Sequence, residues 1–403
     1  MDVEKLYSRR ISRTERLWLI ANHILPPYAN QIVVEGHGEI ETQRLKDAIA
    51  VASEANPGSR LVLKGHLSFA KWVDTGITPP LFEASAGQWS GTSSEGMPGL
   101  PCELPERTGP TCCVQLIKGD PIRLVFYSHH ATMDGRGTAH WVADIFKALR
   151  GEAPIGSDFD LNEMQFVNSF NKERRPLTPR EQIVPVAKPI GNDPGVTWRR
   201  RRITGKFSKL LGKIAVFVAA EARKHADGTV KVGIPVDVRR HQADIRATGN
   251  LTIGINVDVT PDMTPVQVAE SISGLLAENR DLMLGKVGNW IDFVPLCLMR
   301  RRIEERMNKQ FETGRYYYSA LLSNLGKMSL DMYSGGGFEA TSIFFIPPGT
   351  EYLPFFLTST GSGDHIELLI SMPKRLANEK RIDTLIDDLV RYLESADATG
   401  VHS

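Results

Sequence analysis

The sequence predicts an α/β protein built as two lobes of similar size. Strand-like and helix-like runs alternate along both halves of the chain. Its 403 residues exceed what a single hydrophobic core usually serves. Between the halves, residues 151–195 are polar with scattered prolines and read as a connector. Both halves follow a strand–helix–strand logic, without a clear sequence repeat between them.

Each element has a local reason. Residues 31–36 and 60–64 read as strands flanking a helix over about 42–54. Residues 84–110 are rich in Gly, Ser, Pro and Thr and read as a surface loop. Two strands follow at 113–117 and 122–127, and the second, Ile122-Arg123-Leu124-Val125-Phe126-Tyr127, is an apolar run that reads as buried. Helical spacing resumes at Ala139-His140-Trp141-Val142. After the connector, residues 208–225 predict a helix whose apolar stretch, Ile214 to Val218, is expected to be buried. Strands are expected at 230–236 and 251–259. Thr264-Pro265 marks a helix start, an N-cap followed by proline at the first position. A helix is expected over 290–311, then strands near Tyr317, Ser342, Phe355 and Ile366, and an amphipathic helix over 379–393.

The stretch with the most chemistry is His129-His130-Ala131-Thr132-Met133-Asp134-Gly135, on the loop between the strand at 122–127 and the following helix. Such a loop can present side chains and backbone N–H groups to a substrate. A neutral imidazole there can take a proton from a hydroxyl or an amine. Asp134 can orient a histidine or pin the loop by an ion pair, and Gly135 lets a ligand approach the backbone. At this chain's residue frequencies an HHxxxDG string arises by chance on the order of once in a thousand such chains. Two other readings of these residues remain: a capped helix start with two loop histidines, and a metal site of two imidazoles and a carboxylate.

The string resembles the signature of the CoA-dependent acyltransferase superfamily. That superfamily includes chloramphenicol acetyltransferase, plant BAHD acyltransferases, polyketide-associated acyltransferases and the condensation domains of nonribosomal peptide synthetases. Further stretches are similar to the superfamily's elements and occur in its order. Ser12-Arg13-Thr14-Glu15-Arg16-Leu17-Trp18 resembles the opening motif of condensation-like proteins, and residues 38–49 their first strand-to-helix unit. Val236-Asp237-Val238-Arg239-Arg240 and Gly249-Asn250 resemble the Asp-x-Arg and Gly-Asn elements. Ser323-Asn324-Leu325-Gly326 resembles an element of the alcohol acetyltransferase and polyketide-associated branches.

The resemblance implies two chloramphenicol-acetyltransferase-like lobes in a V-shaped pseudo-dimer. The expected division is a lobe over 1–160 with the histidine loop, a connector over 161–197 and a lobe over 198–403. It implies that His130 is the general base, that His129 supports the loop, and that Asp134 pairs with Arg239. Adjacent Arg240 is an alternative partner for Asp134. Gly135 would line the channel that admits an acyl thioester, with Ser323 and Asn324 further along it. Asn324-Leu325-Gly326 reads equally well as a turn at a strand end.

The implied reaction moves an acyl group from acyl-CoA, or from a phosphopantetheine thioester on an acyl or peptidyl carrier protein, to a hydroxyl or amine of a small molecule. The setting implied is specialised metabolism, with no permanently bound cofactor and no metal. A stand-alone condensation enzyme working with separate carriers, a non-catalytic carrier-binding module, and a hydrolase or metal enzyme are the rival readings.

Charged residues make up 24% of the chain and nearly balance at net +1, so no nucleic-acid partner is expected. No apolar run approaches a membrane span. Residues 1–5 carry both signs of charge with no apolar core behind them, so a cytoplasmic location is expected. Cys102, Cys112, Cys113 and Cys297 lack metal-site spacing and read as reduced. Arg199 to Arg202 suit either a solvated face or contact with the phosphates of coenzyme A or with an acidic carrier. Arg300 to Arg302 precede Glu304 and Glu305, a spacing for helical ion pairs.

Overall fold

The computed structural model describes residues 6–173, 181–285, 289–378 and 380–398. The charged start at 1–5, part of the expected connector at 174–180, and position 379, the expected start of the last helix, lie outside the described residues.

The chain opens with strand β1 (Ser8–Arg10), helix α1 (Arg13–Ile24), β2 (Ala29–Gly38) and α2 (Thr42–Ala55). Three short strands, β3 (Leu61–Lys64), β4 (Lys71–Asp74) and β5 (Leu81–Ser85), lead to the hairpin β6 (Cys112–Lys118) and β7 (Ile122–His129), then to α3 (Gly135–Leu149). A short helix, α4 (Glu163–Asn168), stands in the expected connector. The second half runs β8 (Val196–Thr204), α5 (Leu210–His225), β9 (Lys231–Asp237), β10 (Thr252–Asp258), α6 (Pro265–Ala277), α7 (Leu296–Thr313) and β11 (Ala320–Lys327). It closes with β12 (Phe338–Ile346), β13 (Phe356–Ser362), β14 (His365–Pro373), α8 (Lys374–Ala377) and α9 (Arg381–Ala398).

Local chemistry explains the helix starts. Ser12 caps α1 and forms a reciprocal capping box with Glu15, and Thr264 does the same for α6 with Gln267, with Pro265 at the first position. The single helix expected over 290–311 divides. A 3₁₀ turn at Asn289–Phe293 comes first, and α7 begins only after Pro295. Proline has no N–H to donate and its ring crowds the preceding turn, so a helix restarts there rather than running through. The four cysteines form no disulfide.

The strands form a five-stranded sheet (β12-β2-β7-β6-β5), a six-stranded sheet (β10-β9-β11-β13-β14-β8) and a three-stranded sheet (β1-β4-β3). In the five-stranded sheet, β7 lies antiparallel between β2 and β6, with Ala29 opposite His129. One face packs under α2 and α3, where Ile49, Trp141 and Phe146 meet Val34 and Phe126. The other face, through Val33, Val125 and Tyr127, meets Trp89, Trp198 and Leu369. Burial on both faces is why β7 is apolar from Leu124 to Tyr127, and Arg123 before them is buried only with its charge paired to Glu35 at 2.8 Å. The six-stranded sheet has its own core, with Ile214, Val218 and Ile386 of α5 and α9 against Val232, Leu357 and Leu368.

Two features join the halves. Strand β12, from the second half, is the edge strand beside β2 in the five-stranded sheet, antiparallel with Ile343 opposite Val34. Arg200 of β8, only 5% exposed, reaches Glu367 of β14 at 2.7 and 3.0 Å, Glu35 of β2 at 2.9 Å and Ser342 of β12 at 2.8 Å. A guanidinium at this depth is tolerable because its fork is met by two carboxylates and a hydroxyl.

Candidate active site

Strand β7 carries the chain to His129, and α3 restarts it at Gly135, so the histidine loop is short and held at both ends. Asp134 is the N-cap of α3 and accepts the N–H of Gly137 at 2.7 Å. The two imidazoles adopt opposite tautomers, each dictated by its partner. His129 is fully buried, and its Nδ1 accepts the N–H of Ala131 at 3.1 Å, which puts its proton on Nε2. Burial pushes its pKa down to about 4. His130 Nδ1 lies 3.0 Å from the Met133 carbonyl. A carbonyl can only accept, so Nδ1 carries the proton and Nε2 holds the lone pair. Burial lowers the His130 pKa, while the Met133 carbonyl and the Asp134 charge oppose that shift. The ring stacks on Trp18, with centroids 5.0 Å apart and planes 16° from parallel, and lies 5.4 Å from the Tyr28 ring.

Asp134 does not touch either imidazole through its carboxylate. Arg239 grips it with two nitrogens at 3.1 and 3.2 Å, and the Leu251 N–H and the Thr252 hydroxyl add bonds of 2.8 and 2.9 Å. These donors, led by the Arg239 charge, hold the carboxyl below its ordinary range against the cost of burial. Arg240 points elsewhere, to Asp281 at 2.8 and 3.0 Å. Of the two neighbouring arginines, Arg239 is therefore the one that meets Asp134.

Gly135 is not a point of closest approach. A Cβ placed there would lie 3.6 Å from Leu325 and 3.9 Å from Phe345, ordinary van der Waals distances. Gly137 is the cramped position: a Cβ would fall 1.9 Å from the Thr248 carbonyl oxygen. Ser323 is half-buried on β11, and Asn324 is exposed. The Asn324 Oδ1 accepts the Gly326 N–H at 2.9 Å, so its side chain braces the register shift of β11 between Asn324 and Lys327 rather than a turn at the strand end. The structure thus gathers His129, His130, Asp134, Gly135 and Arg239 at one loop. Only Leu325 of the Ser323–Gly326 stretch is placed close to Gly135.

A buried polar network beneath the loop escaped the sequence reading. Arg9 pairs with Glu15 and donates to the Thr132 carbonyl at 2.9 Å. Glu15 also accepts the Trp72 indole N–H at 3.1 Å, and Asn250 bonds both Glu15 at 3.3 Å and the His130 carbonyl at 2.9 Å. The Ser-x-x-Glu spacing signals the capping box, but nothing in it signals the second task of Glu15. The run Arg199–Arg202 is engaged internally: Arg199 meets Glu95 and Asp383, Arg201 meets Asp387, and Arg200 and Arg202 share Glu367. It is neither a bare solvated face nor a set of idle cations awaiting phosphate. Arg300–Glu304 and Arg301–Glu305 form the helical pairs their spacing suggests.

Among the described residues, no group of three or more potential metal ligands is present, and no helix is long and apolar enough to cross a membrane.

Comparison with family models and with curated proteins gives no match. Comparison with solved structures gives matches over nearly the whole chain. A variant of the starter condensation domain of rhizomide synthetase RzmA, in complex with C8-CoA, is 13% identical with a TM-score of 0.68, covering 96% of this chain and 94% of that one. The condensation domain of the Monacolin K polyketide synthase MokA is 10% identical with a TM-score of 0.62, covering 96% and 97%. Polyketide synthase associated protein 5 from Mycobacterium tuberculosis is 14% identical with a TM-score of 0.61, covering 95% and 96%. The chain has the mixed α/β fold of condensation domains and of this polyketide-synthase-associated protein.

Proposed function

We propose that this protein is an acyltransferase that moves an acyl group from a thioester to a hydroxyl or amine, with His130 as general base. The observation that carries the reading is the His130 tautomer. Its Nδ1 proton is committed to the Met133 carbonyl, which leaves the Nε2 lone pair for a substrate. Nε2 takes the acceptor proton as the acceptor oxygen or nitrogen bonds to the thioester carbonyl carbon. When the tetrahedral adduct collapses, the carbon–sulfur bond breaks and the Nε2 proton passes to the departing thiolate. The imidazole ends neutral, with no covalent acyl-enzyme and no net proton consumed. The Met133 carbonyl favours the transient imidazolium by accepting its Nδ1–H.

Asp134 acts through position. Its bonds to Arg239, Leu251 and Thr252 fix the loop that holds His130. The acyl channel in this reading passes Gly135 and Leu325, within the V of two chloramphenicol-acetyltransferase-like lobes. Support for a thioester donor comes from the fold: a RzmA starter condensation domain variant of this fold was crystallised with C8-CoA and Leu-SNAC. The acceptor is a small molecule, and the donor is acyl-CoA or a carrier-bound thioester.

The test is a mass-spectrometric screen of the purified full chain against a panel of acyl-CoA donors, acyl-loaded carriers and small alcohols and amines. New ester or amide product that depends on His130 supports the reading. Absence of product and of thiol release from every donor would sink it.

A further inference from the structure

The outer face of the three-stranded sheet carries an unbalanced row of charge. The register of β1, β4 and β3 sets Arg10, Lys71 and Lys64 opposite one another on adjacent strands, and all three are exposed. The residues that alternate with them, Arg9, Trp72 and Leu63, are buried on the inner face. Arg107 is exposed beside the row and donates to the Gly65 carbonyl at 3.3 Å. None of the four cations has an ion-pair partner among the described residues. Two acids of the neighbouring segments are already taken, Glu106 by His23 at 3.2 Å and Asp74 by Arg60 at 2.6 Å. Like charges set directly opposite across strands weaken a sheet, so the row does not serve the fold.

Apolar side chains stand at the end of the same sheet. The turn between β3 and β4, flanked by Lys64 and Lys71, displays Leu67 and Phe69, the latter 77% exposed. Leu67 holds a left-handed φ of 51°, a conformation that Gly or Asn adopts at lower cost. A second tip comes from the other half of the chain, the 3₁₀ turn at Asn289–Phe293, with Trp290 at 70% exposure and Phe293 beside it. The Phe69 and Phe293 rings meet edge to face, with centroids 6.4 Å apart.

The second tip is held in place by α1. Arg13 grips Asp292 at 2.6 and 2.7 Å, and Arg16 donates to the carbonyls of Ile291, Asp292 and Val294. The display of Trp290 and Phe293 is therefore built into the fold. Rings exposed to this degree are not recessed in a groove, and a fluid apolar layer can receive them without a matching pocket. Tryptophan and phenylalanine beside cations are the composition of a surface that settles into the headgroup region of a membrane.

We infer that this face docks on an anionic lipid surface. Phe69, Trp290 and Phe293 enter the acyl boundary, and Arg10, Lys64, Lys71 and Arg107 meet the lipid phosphates. Charge complementarity selects the occupant: anionic headgroups neutralise the unpaired cations while the apolar layer covers the rings. The inner face of the sheet shares a buried cluster with Ala131 of the histidine loop, so the docked face backs onto that loop.

The experiment is cosedimentation of the full chain with vesicles of phosphatidylcholine alone and of an equimolar mixture with phosphatidylglycerol. No acyl donor is present, so the outcome is independent of the acyl-transfer reading. The wild type should bind the anionic vesicles, more weakly as salt rises, and bind phosphatidylcholine at least about tenfold more weakly. Lys64→Gln/Lys71→Gln should bind the anionic vesicles about 25-fold more weakly, about fivefold for each charge lost. Phe69→Ser/Trp290→Ser should lose about tenfold or more. Brominated acyl chains should quench the tryptophan emission of the wild type and leave that of Trp290→Ser largely unquenched. Circular dichroism checks the fold of each variant, and the single variants Lys71→Gln and Trp290→Ser stand in for a double variant that does not fold. Absence of wild-type binding to the anionic vesicles, or binding that the lysine variants retain in full, overturns the proposal. Binding lost in the lysine variants but kept in the aromatic ones, without quenching, would assign the row to an acidic soluble protein and overturn the lipid surface as well.

Discussion

Asp134 and Arg239 meet in a two-pronged ion pair of 3.1 and 3.2 Å that ties the histidine loop of the first half to the β9–β10 turn of the second. Both side chains are nearly sealed from water, at 3% and 13% exposure, and Arg239 also meets Asp237 at 2.8 Å. Asp134→Ala and Arg239→Ala should each cost about 3–5 kcal/mol. The double variant should lose less than the sum, because either single substitution already removes the bonds between the two side chains. Urea denaturation of the four proteins measures this coupling. Strict additivity would mean that the pair does not form in solution.

His130→Ala should lower acyl transfer by about 10²–10⁴-fold, and loss of the ring stacked on Trp18 should also cost about 1 kcal/mol or more of stability. The pH dependence has a fixed sign. Transfer needs the neutral ring, and burial sets the His130 pKa below the ordinary value of about 6.5. Turnover should therefore be level at neutral pH and fall as acid is added, with its midpoint below about 6.5. A kcat/KM profile with an acid limb above neutrality would point to a different base.

Two glycines of the same helix turn should respond differently to a methyl group. Gly137→Ala drives a Cβ into the Thr248 backbone carbonyl, which cannot rotate away, and should cost about 3 kcal/mol or more. Gly135→Ala meets only van der Waals neighbours and should change stability by about 1 kcal/mol or less. Chemical denaturation of both variants checks the ordering, and the reverse ordering would refute the packing described at the start of α3.

Glu163 is fully buried on α4, and its pKa is pushed up to about 7 by burial and then by Glu15. A carboxyl whose folded pKa exceeds its unfolded value favours the fold in acid. That contribution is complete below about 4.5 and is lost as pH rises through about 7. Glu163→Gln keeps the shape and removes the charge. It should raise Tm at pH 8, by up to about 3 kcal/mol in stability, and change little at pH 4. Equal effects at both values would show that Glu163 does not titrate on unfolding.

Much of the architecture was legible because its signals are local. The apolar run of β7, the Thr264-Pro265 start of α6 and the strand-to-helix context of the histidine loop each depend on neighbours in sequence. The break at Pro295 was also written locally, but apolar spacing on both sides of it read as one helix. What the sequence could not resolve depends on contacts across the chain. Arg239 and Arg240 are chemically alike, and only the turn between β9 and β10 aims one at Asp134 and the other at Asp281. The need for glycine at Gly137 comes from Thr248, more than a hundred residues away. The same holds for Arg200, where an apparent surface run hides a cross-brace to Glu35 and Glu367.

The placement of β12 constrains how the protein can be made. Its partners on β2 leave the ribosome about 300 residues earlier, so while those residues are being made the β2 edge, with Ile32, Val33 and Val34, lacks its β12 neighbour. An open apolar strand edge is a template for pairing with another nascent chain. Closure of the first sheet must therefore wait until Phe338–Ile346 have emerged, and a chaperone that masks extended apolar segments would serve the wait. For the same reason, a fragment that stops before Phe338 would carry a bare β2 edge, however complete its histidine loop.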